Sequence, residues 1–168
     1  MQKELLAQID KTEAALLDVF ASLTQDQLNK VPFEGSWTAG QVGEHLQKAC
    51  SVQTLYGRTA PTERDPAAMV GPLRKLFLDF SIKMSSPDFI YPEGNFYKKE
   101  ELYRGLEAAW MDIRKAANTL ELTETCLDFE LPGFGALTRF EWLSFLVIHT
   151  QRHLHQLRNI QEKVVALS

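Results

Sequence analysis

Apolar residues recur at intervals of three and four along four long segments, and this spacing constrains the fold more than any other feature of the sequence. A helix with that spacing carries an apolar stripe on one side, which must be buried against another element. Strand-like alternation of apolar and polar residues is weak throughout. The pattern therefore predicts an all-α four-helix bundle, one domain over residues 1–168, with helices over residues 3–23, 38–57, 99–120 and 138–165.

The connection between the second and third predicted helices is long and contains most of the prolines of the chain. A short helix is predicted over residues 73–84, and Tyr91 and Phe96 are expected to pack down on the bundle. Such a connection can join helix ends on either side of a bundle, so a long crossover is predicted here. Residues 25–28 are expected to add a short helical turn, and residues 31–36 and 129–135 to form loops.

Composition excludes several classes of protein. The 168 residues carry a net charge of -4, whereas a nucleic-acid-binding surface usually needs a concentrated basic patch. No stretch approaches the ~20 apolar residues of a membrane span, and the first residues do not resemble a signal peptide, so a cytoplasmic location is expected. Cys50 and Cys126 are too few for a disulfide framework and are expected to be small buried hydrophobes.

Three of the four histidines lie in residues 149–155, on the fourth predicted helix. A spacing of four residues returns to within ~40° of the same direction, so His149 and His153 project side by side. His155 lies ~200° from His153 and should point away. His45 follows Gln41 by four residues on the apolar stripe of the second helix and therefore faces inward.

His45, His149 and His153 are the predicted ligands of one metal ion. Neutral imidazoles bind zinc and other borderline metals well, and three protein ligands leave positions open for water or substrate. The alternatives are an exposed histidine pair and a hydrogen-bonded core histidine. Three imidazoles buried together without a metal would, however, leave polar nitrogens in need of partners.

Other metal-site patterns are absent. A di-iron carboxylate bundle needs Glu-x-x-His on two helices, and no glutamate stands three residues before a histidine here. The His-Glu-x-x-His pattern of zinc proteases is also missing, because Thr150 follows His149. The sequence contains no phosphate-binding glycine loop and no hydrolase nucleophile motif.

Residues 36–46 resemble the segment that opens the second helix in DinB-like proteins, the superfamily that includes the bacillithiol S-transferases. Residues 149–157 are similar to the fourth-helix His-x-x-x-His motif of the same family, and residues 23–28 are also similar to family members. The resemblance implies a DinB-like four-helix bundle with a long crossover, a divalent metal (nickel or zinc) on His45, His149 and His153, and a homodimer.

The resemblance also implies a range of functions, because characterised relatives include thiol-dependent transferases. The first hypothesis is a metal-dependent enzyme, either an S-transferase joining a low-molecular-weight thiol to a small electrophilic substrate or a hydrolase. Gln41, Arg152 and Gln156 are candidate pocket groups or groups that hold the ligands, unless they are exposed polar residues. Trp37 is expected either to border the pocket or to pack the start of the second helix.

The second hypothesis is a non-enzymatic, stress-related dimer whose metal is structural. It is kept because the sequence places no evident general base beside the three histidines, and Glu44 should point ~100° away from His45. A helical interaction module without a metal also fits the composition, but it leaves the histidine set unexplained. No nucleic acid or membrane partner is expected.

Overall fold

Helices make up most of the chain, and the computed structural model describes all of residues 1–168. This confirms the predicted all-α class. Short 3-10 turns occupy Gln53–Tyr56 and Asp88–Ile90. The six α-helices are α1 (Gln2–Ser22), α2 (Gln25–Leu28), α3 (Ala39–Ala49), α4 (Val70–Phe77), α5 (Lys99–Thr119) and α6 (Arg139–Ala166).

The apolar stripes of the long helices meet in one core. Helices α1 and α3 each pack against α5 and α6, and α4 packs against α6. Burial of one large apolar side chain of this kind contributes about 1.5–3 kcal/mol before entropy is counted. None of the helices is both long and apolar enough to cross a membrane. The largest fully buried side chains include Ile9, Leu16, Phe20, Leu46, Leu106, Trp110 and Ile113.

Capping boxes fix the starts of both helices that carry the predicted ligands. The Thr38 hydroxyl accepts from the backbone N–H of Gln41, whose side chain accepts from Thr38 in return, and Thr138 and Glu141 make the same pair at α6. Both boxes follow the spacing of three residues between a threonine and a glutamine or glutamate. Each satisfies two backbone donors that the first helical turn leaves free, which sets where the helix begins.

Two helices differ from the prediction in their boundaries. Helix α3 ends at Ala49 instead of continuing to residue 57, and a 3-10 turn follows in which the Leu55 carbonyl accepts from Arg139. Helix α4 begins earlier than predicted, because Gly71 and Pro72 lie in its first turn, where proline is tolerated. It ends at Phe77. At and beyond this end, the carbonyls of Phe77, Asp79 and Ile82 accept from the Arg152 guanidinium.

A two-stranded antiparallel sheet was not predicted. Strand β1 (Thr59–Ala60) pairs with β2 (Thr125–Cys126), and each is too short to show a period of two. The predicted packing of Tyr91 and Phe96 is wrong, since they are 48% and 64% exposed. Both cysteines are buried, as predicted, and burial raises the pKa of the Cys50 thiol to about 12.

Candidate metal centre

Three imidazoles from two helices converge in the structure. The Nε2 atom of His45 on α3 lies 3.0 Å from Nε2 of His153 and 3.4 Å from Nε2 of His149. The Nε2 atoms of His149 and His153, one turn apart on α6, are separated by 3.2 Å. No other histidine, cysteine or acid joins this group. The structure thus brings together the three residues that the sequence singled out.

Helical periodicity explains which histidines face inward. His45 lies on the buried side of α3 with Val42 and Leu46, and it is 2% exposed. His149 is 8% exposed. His155 turns outward, as predicted, and its ring stacks on Phe80 with the centroids 4.0 Å apart.

Hydrogen bonds at the far ring nitrogens define the tautomers of two histidines. Nδ1 of His45 lies 2.9 Å from the Ile90 carbonyl oxygen, which can only accept, so this nitrogen carries the proton. Nδ1 of His153 lies 2.8 Å from Oε1 of Gln156 and donates to it in the same way. Each neutral ring then has a lone pair on Nε2. The two lone pairs face each other across 3.0 Å, an arrangement that needs a cation or a shared proton between them.

Burial keeps all three rings neutral. It lowers the pKa of His45, an effect that the hydrogen bond to Ile90 opposes. Burial, followed by repulsion from the protonated form of His45, lowers the pKa of His153 to about 4. Burial, followed by the charges of the other two histidines, lowers the pKa of His149 well below its ordinary value. Neutral imidazole is the form that binds a metal ion.

The donor set fits a divalent metal. Two imidazole nitrogens bound at about 2.0–2.1 Å to one tetrahedral zinc stand about 3.3–3.4 Å apart, close to the separations found here. The Nδ1 atom of His149 is buried without a hydrogen-bond partner. No hydrogen bond at Nδ1 therefore fixes a proton on the Nε2 atom of this ring, which can bind a metal. The cluster is compatible with a metal site, and three imidazoles suit zinc and nickel alike.

Two of the four further candidate residues touch the histidines. Gln156 accepts from His153, and the Trp37 ring lies 5.3 Å from the ring of His45, so Trp37 borders the site. Gln41 points elsewhere: its amide completes the capping box of α3 and donates to the Gly94 carbonyl. The Arg152 guanidinium donates to three backbone carbonyls at and just beyond the end of α4 and reaches no histidine nitrogen.

Aromatic side chains that the sequence reasoning missed surround His149. The Phe145 ring stacks against it at 5.5 Å, and Phe77 meets it edge-on at 6.2 Å. Phe145 precedes His149 by one helical turn, so the same spacing that paired the histidines could have found it. The Ile90 carbonyl and the Ser86 hydroxyl, which lies 3.3 Å from Nδ1 of His45, are contacts across more than 40 residues with no local signal.

Comparison with known proteins agrees with the resemblance carried by the motifs. A family model described as the DinB superfamily matches residues 8–157. A protein of Bacillus subtilis (strain 168), named uncharacterized protein YuaE, is 25% identical over 146 residues, which cover 84% of this chain and 88% of that relative. No solved structure shows significant similarity. Since the family match spans most of the sequence and both histidine motifs, the chain belongs to the DinB superfamily.

Proposed function

We propose that this protein is a divalent-metal-dependent enzyme that transfers a low-molecular-weight thiol to a small electrophile. The observation that carries the proposal is the convergence of three neutral imidazoles on one point, two of them held with Nε2 unprotonated by Ile90 and Gln156. Buried lone pairs that face each other in this way are costly unless a cation or a shared proton lies between them, and a divalent metal ion is such a cation. Nickel and zinc both suit such a donor set.

The proposal includes a four-helix bundle built from α1, α3, α5 and α6, with residues 50–98 as a long crossover. Its support is that both α1 and α3 pack on both α5 and α6. In this arrangement the two ligand-bearing helices are neighbours, which is where bundles place their metal sites. A homodimer in the cytoplasm remains part of the proposal, and the dimer rests on the resemblance to DinB-like proteins.

In the proposed reaction the chain holds the three metal ligands in place. The Ile90 carbonyl and the Gln156 amide oxygen keep protons on the outer nitrogens of His45 and His153, which leaves the inner nitrogens free to bind. When bound, a divalent ion would lower the pKa of a thiol co-substrate and so favour the thiolate, the attacking species. The thiolate displaces the leaving group of the electrophile or adds to it, so no oxidant or reductant is needed.

The side chains around the histidines favour an apolar electrophile. Phe145 and Phe77 flank His149, Trp37 flanks His45, and Tyr91 meets Trp37 edge-on at 5.4 Å. Phe145 is only partly buried although both neighbouring turns of α6 are buried, which leaves part of its ring accessible. Aromatic surfaces of this kind bind flat or apolar groups.

The test begins with elemental analysis of protein purified without an affinity tag, which should give about one metal ion per chain. The metal is then removed and restored, and bacillithiol, glutathione and other small thiols are screened with monochlorobimane as the electrophile. A rate that depends on both metal and thiol supports the proposal. If no metal binds after exposure to nickel or zinc, the proposal is overturned.

A second candidate function is a non-enzymatic metal-binding domain, dimeric and related to stress. It is favoured by the absence of a general base among the groups that contact the three Nε2 atoms. The nearest acid in sequence, Glu44, is fully engaged with backbone N–H groups of residues 93 and 94. Metal binding with no transfer or hydrolysis across the thiol screen would favour this function over the first.

A further inference from the structure

The segment between α4 and α5, residues 78–98, contacts both helices that carry the predicted metal ligands. We call it the strap. It contains one 3-10 turn, Asp88–Ile90, and no α-helix or strand. Its first part meets α6 through Arg152 and through the stacking of Phe80 on His155. Its later part meets α3 through Glu44 and His45.

Arg152 holds the first end of the strap. Its Nη1 donates to the carbonyl oxygens of Phe77 at 3.0 Å and Asp79 at 3.2 Å, and its Nη2 donates to Ile82 at 2.5 Å. A guanidinium offers five N–H groups in a rigid fork, so one side chain can fix the last carbonyl of α4 together with two carbonyls of the strap. Arg152 is the residue before His153, and it thereby connects the strap to α6 beside one ligand.

Glu44 holds the other end. Its carboxylate accepts from the backbone N–H groups of Glu93 and Gly94, at 3.1 and 3.0 Å, and from the Tyr97 hydroxyl. Lys48, one turn further along α3, forms an ion pair with it at 2.9 Å. Glu44 is the residue before His45, so the strap is connected to α3 beside another ligand.

Between these two ends the strap contacts a ligand directly, because the Ile90 carbonyl accepts from Nδ1 of His45. If the strap moved away, that ring would lose its fixed acceptor. A proton could then occupy Nε2, and a protonated nitrogen does not bind a metal. The strap also ties α3 to α6, and so limits how far His45 can move from His149 and His153.

We propose that Arg152 and Glu44 are positioning residues of the three-histidine site, acting through the strap to fix the orientation of His45 and its distance from the other two ligands. This inference rests on the proposed metal-binding function. Preorganised ligands bind a metal more tightly because less freedom is lost on binding. Partners that orient a ligand are typically worth 10–100-fold in metal affinity, and these two residues hold such a partner in place.

The test compares Arg152→Gln and Glu44→Gln with Arg158→Gln and Glu107→Gln in the full chain. The control residues are exposed, lie on α6 and α5, and make no side-chain hydrogen bond or ion pair. Zinc and nickel affinities are measured by calorimetry. We expect Arg152→Gln and Glu44→Gln each to bind these metals about tenfold or more weakly than the wild type, and both controls to match the wild type.

The sign of the Arg152 effect separates positioning from simple electrostatics. Removal of a positive charge beside a cation site should, by Coulomb's law alone, strengthen metal binding. Weaker binding by Arg152→Gln therefore indicates lost positioning. The absorption spectrum of bound Co²⁺ supplies a second readout, since a displaced imidazole changes the ligand geometry. Unchanged thermal unfolding of the metal-free variants would exclude a general loss of stability.

Hydrogen exchange of the metal-free protein tests the strap itself. The backbone N–H groups of Ile82, Ile90 and Tyr91 bond to carbonyls within the strap, so they report its order. The bonds of Ile90 and Tyr91 involve no residue that bonds to Arg152 or Glu44. These N–H groups should exchange faster in Arg152→Gln and Glu44→Gln than in the two control variants. Equal exchange and equal metal affinity would overturn the positioning role alone. If the wild type binds no zinc or nickel, the proposed function itself fails and this inference with it.

Discussion

Nδ1 of His153 donates to Oε1 of Gln156 at 2.8 Å, one helical turn further along α6. This bond places the ring proton on the outer nitrogen and leaves Nε2 free to face His45 and His149. The pair is local in sequence, so α6 supplies both a ligand and the group that orients it.

Replacement of Gln156 by Leu should weaken zinc or nickel binding by about 10- to 100-fold, because the ring of His153 loses the acceptor that fixes its tautomer. Calorimetric titration measures the loss. Gln156→Glu should retain or raise the affinity, since a carboxylate also accepts this proton. Gln151→Leu on the same helix serves as a control, and an equal loss there would show that the effect is not specific to residue 156.

Alanine substitutions of His45, His149 and His153 should each lower metal affinity by more than the about 100-fold expected for a supporting residue. His155→Ala is the matched comparison: it removes an imidazole from the same helix, but this ring faces outward onto Phe80, so its loss should lower metal affinity far less than the loss of a ligand. Metal content after dialysis gives the readout, and circular dichroism verifies that each variant is helical. Tight binding retained in His149→Ala would mean that the ligand set is wrong.

Much of the fold was predictable because its determinants are local. The capping boxes at Thr38 and Thr138 and the inward spacing of His149 and His153 need only helical geometry. The end of α4 was not predictable, because Phe77 is followed by carbonyls that bond to Arg152 across 70 or more residues. Periodicity does not report a contact of that range, and it cannot distinguish the 3-10 turn at Leu55 from a continued helix.

The candidate site divides in the same way. The three histidines follow from helical faces, and Gln156 could be placed on the face of His153 from its spacing. The acceptor of His45 is the backbone carbonyl of Ile90. Almost every residue of the chain has such a carbonyl to offer, so the sequence carries no signal for this contact. The bond between the Gln41 side chain and the Thr38 backbone follows from the spacing of these two residues.

Arg64→Met should destabilise the protein by about 3 kcal/mol. Arg64 forms a two-bonded ion pair with Glu141, at 2.6 and 2.8 Å, and the Glu141 side chain is fully buried. Breaking a buried ion pair by removing one partner costs about 3–5 kcal/mol. The backbone N–H groups of Met69 and Thr138 still bond to the Glu141 carboxylate, and residue 64 has partial solvent access, so the lower end is expected. Denaturant unfolding gives the value.

Arg58→Met is the matched control for that substitution. Its ion pair with Asp128 is exposed, so its loss should cost under about 1 kcal/mol. Similar losses in the two variants would contradict the assigned importance of the buried pair.

The buried pair also predicts how stability depends on pH. Burial raises the pKa of Glu141, but hydrogen bonds from Arg64 and from the N–H groups of Met69 and Thr138 outweigh it, so the folded-state pKa lies below its ordinary value. The stabilisation is therefore present above the unfolded-state pKa of about 4.3 and is lost as the pH falls through the folded-state pKa. The free energy of unfolding should fall with acidification more steeply in the wild type than in Glu141→Gln. Parallel curves, measured from pH 7 to 3 with exposed Glu130→Gln as control, would refute this.

Close packing of α3 against its neighbours gives the last prediction. A Cβ atom added at Gly43 would lie 2.7 Å from Cδ2 of Leu102 and 3.1 Å from Cζ of Phe20, so both side chains would have to shift. Overpacking of this kind costs about 1–3 kcal/mol, and Gly43→Ala should be destabilised accordingly in denaturant unfolding. Gly71→Ala is the matched control, since its added Cβ meets nothing within 4 Å and the substitution should be neutral or stabilising by up to about 1 kcal/mol. Equal stability of the two variants would mean that α3 can move away from α5, and His45, two residues further along α3, would then be less firmly placed than the structure indicates.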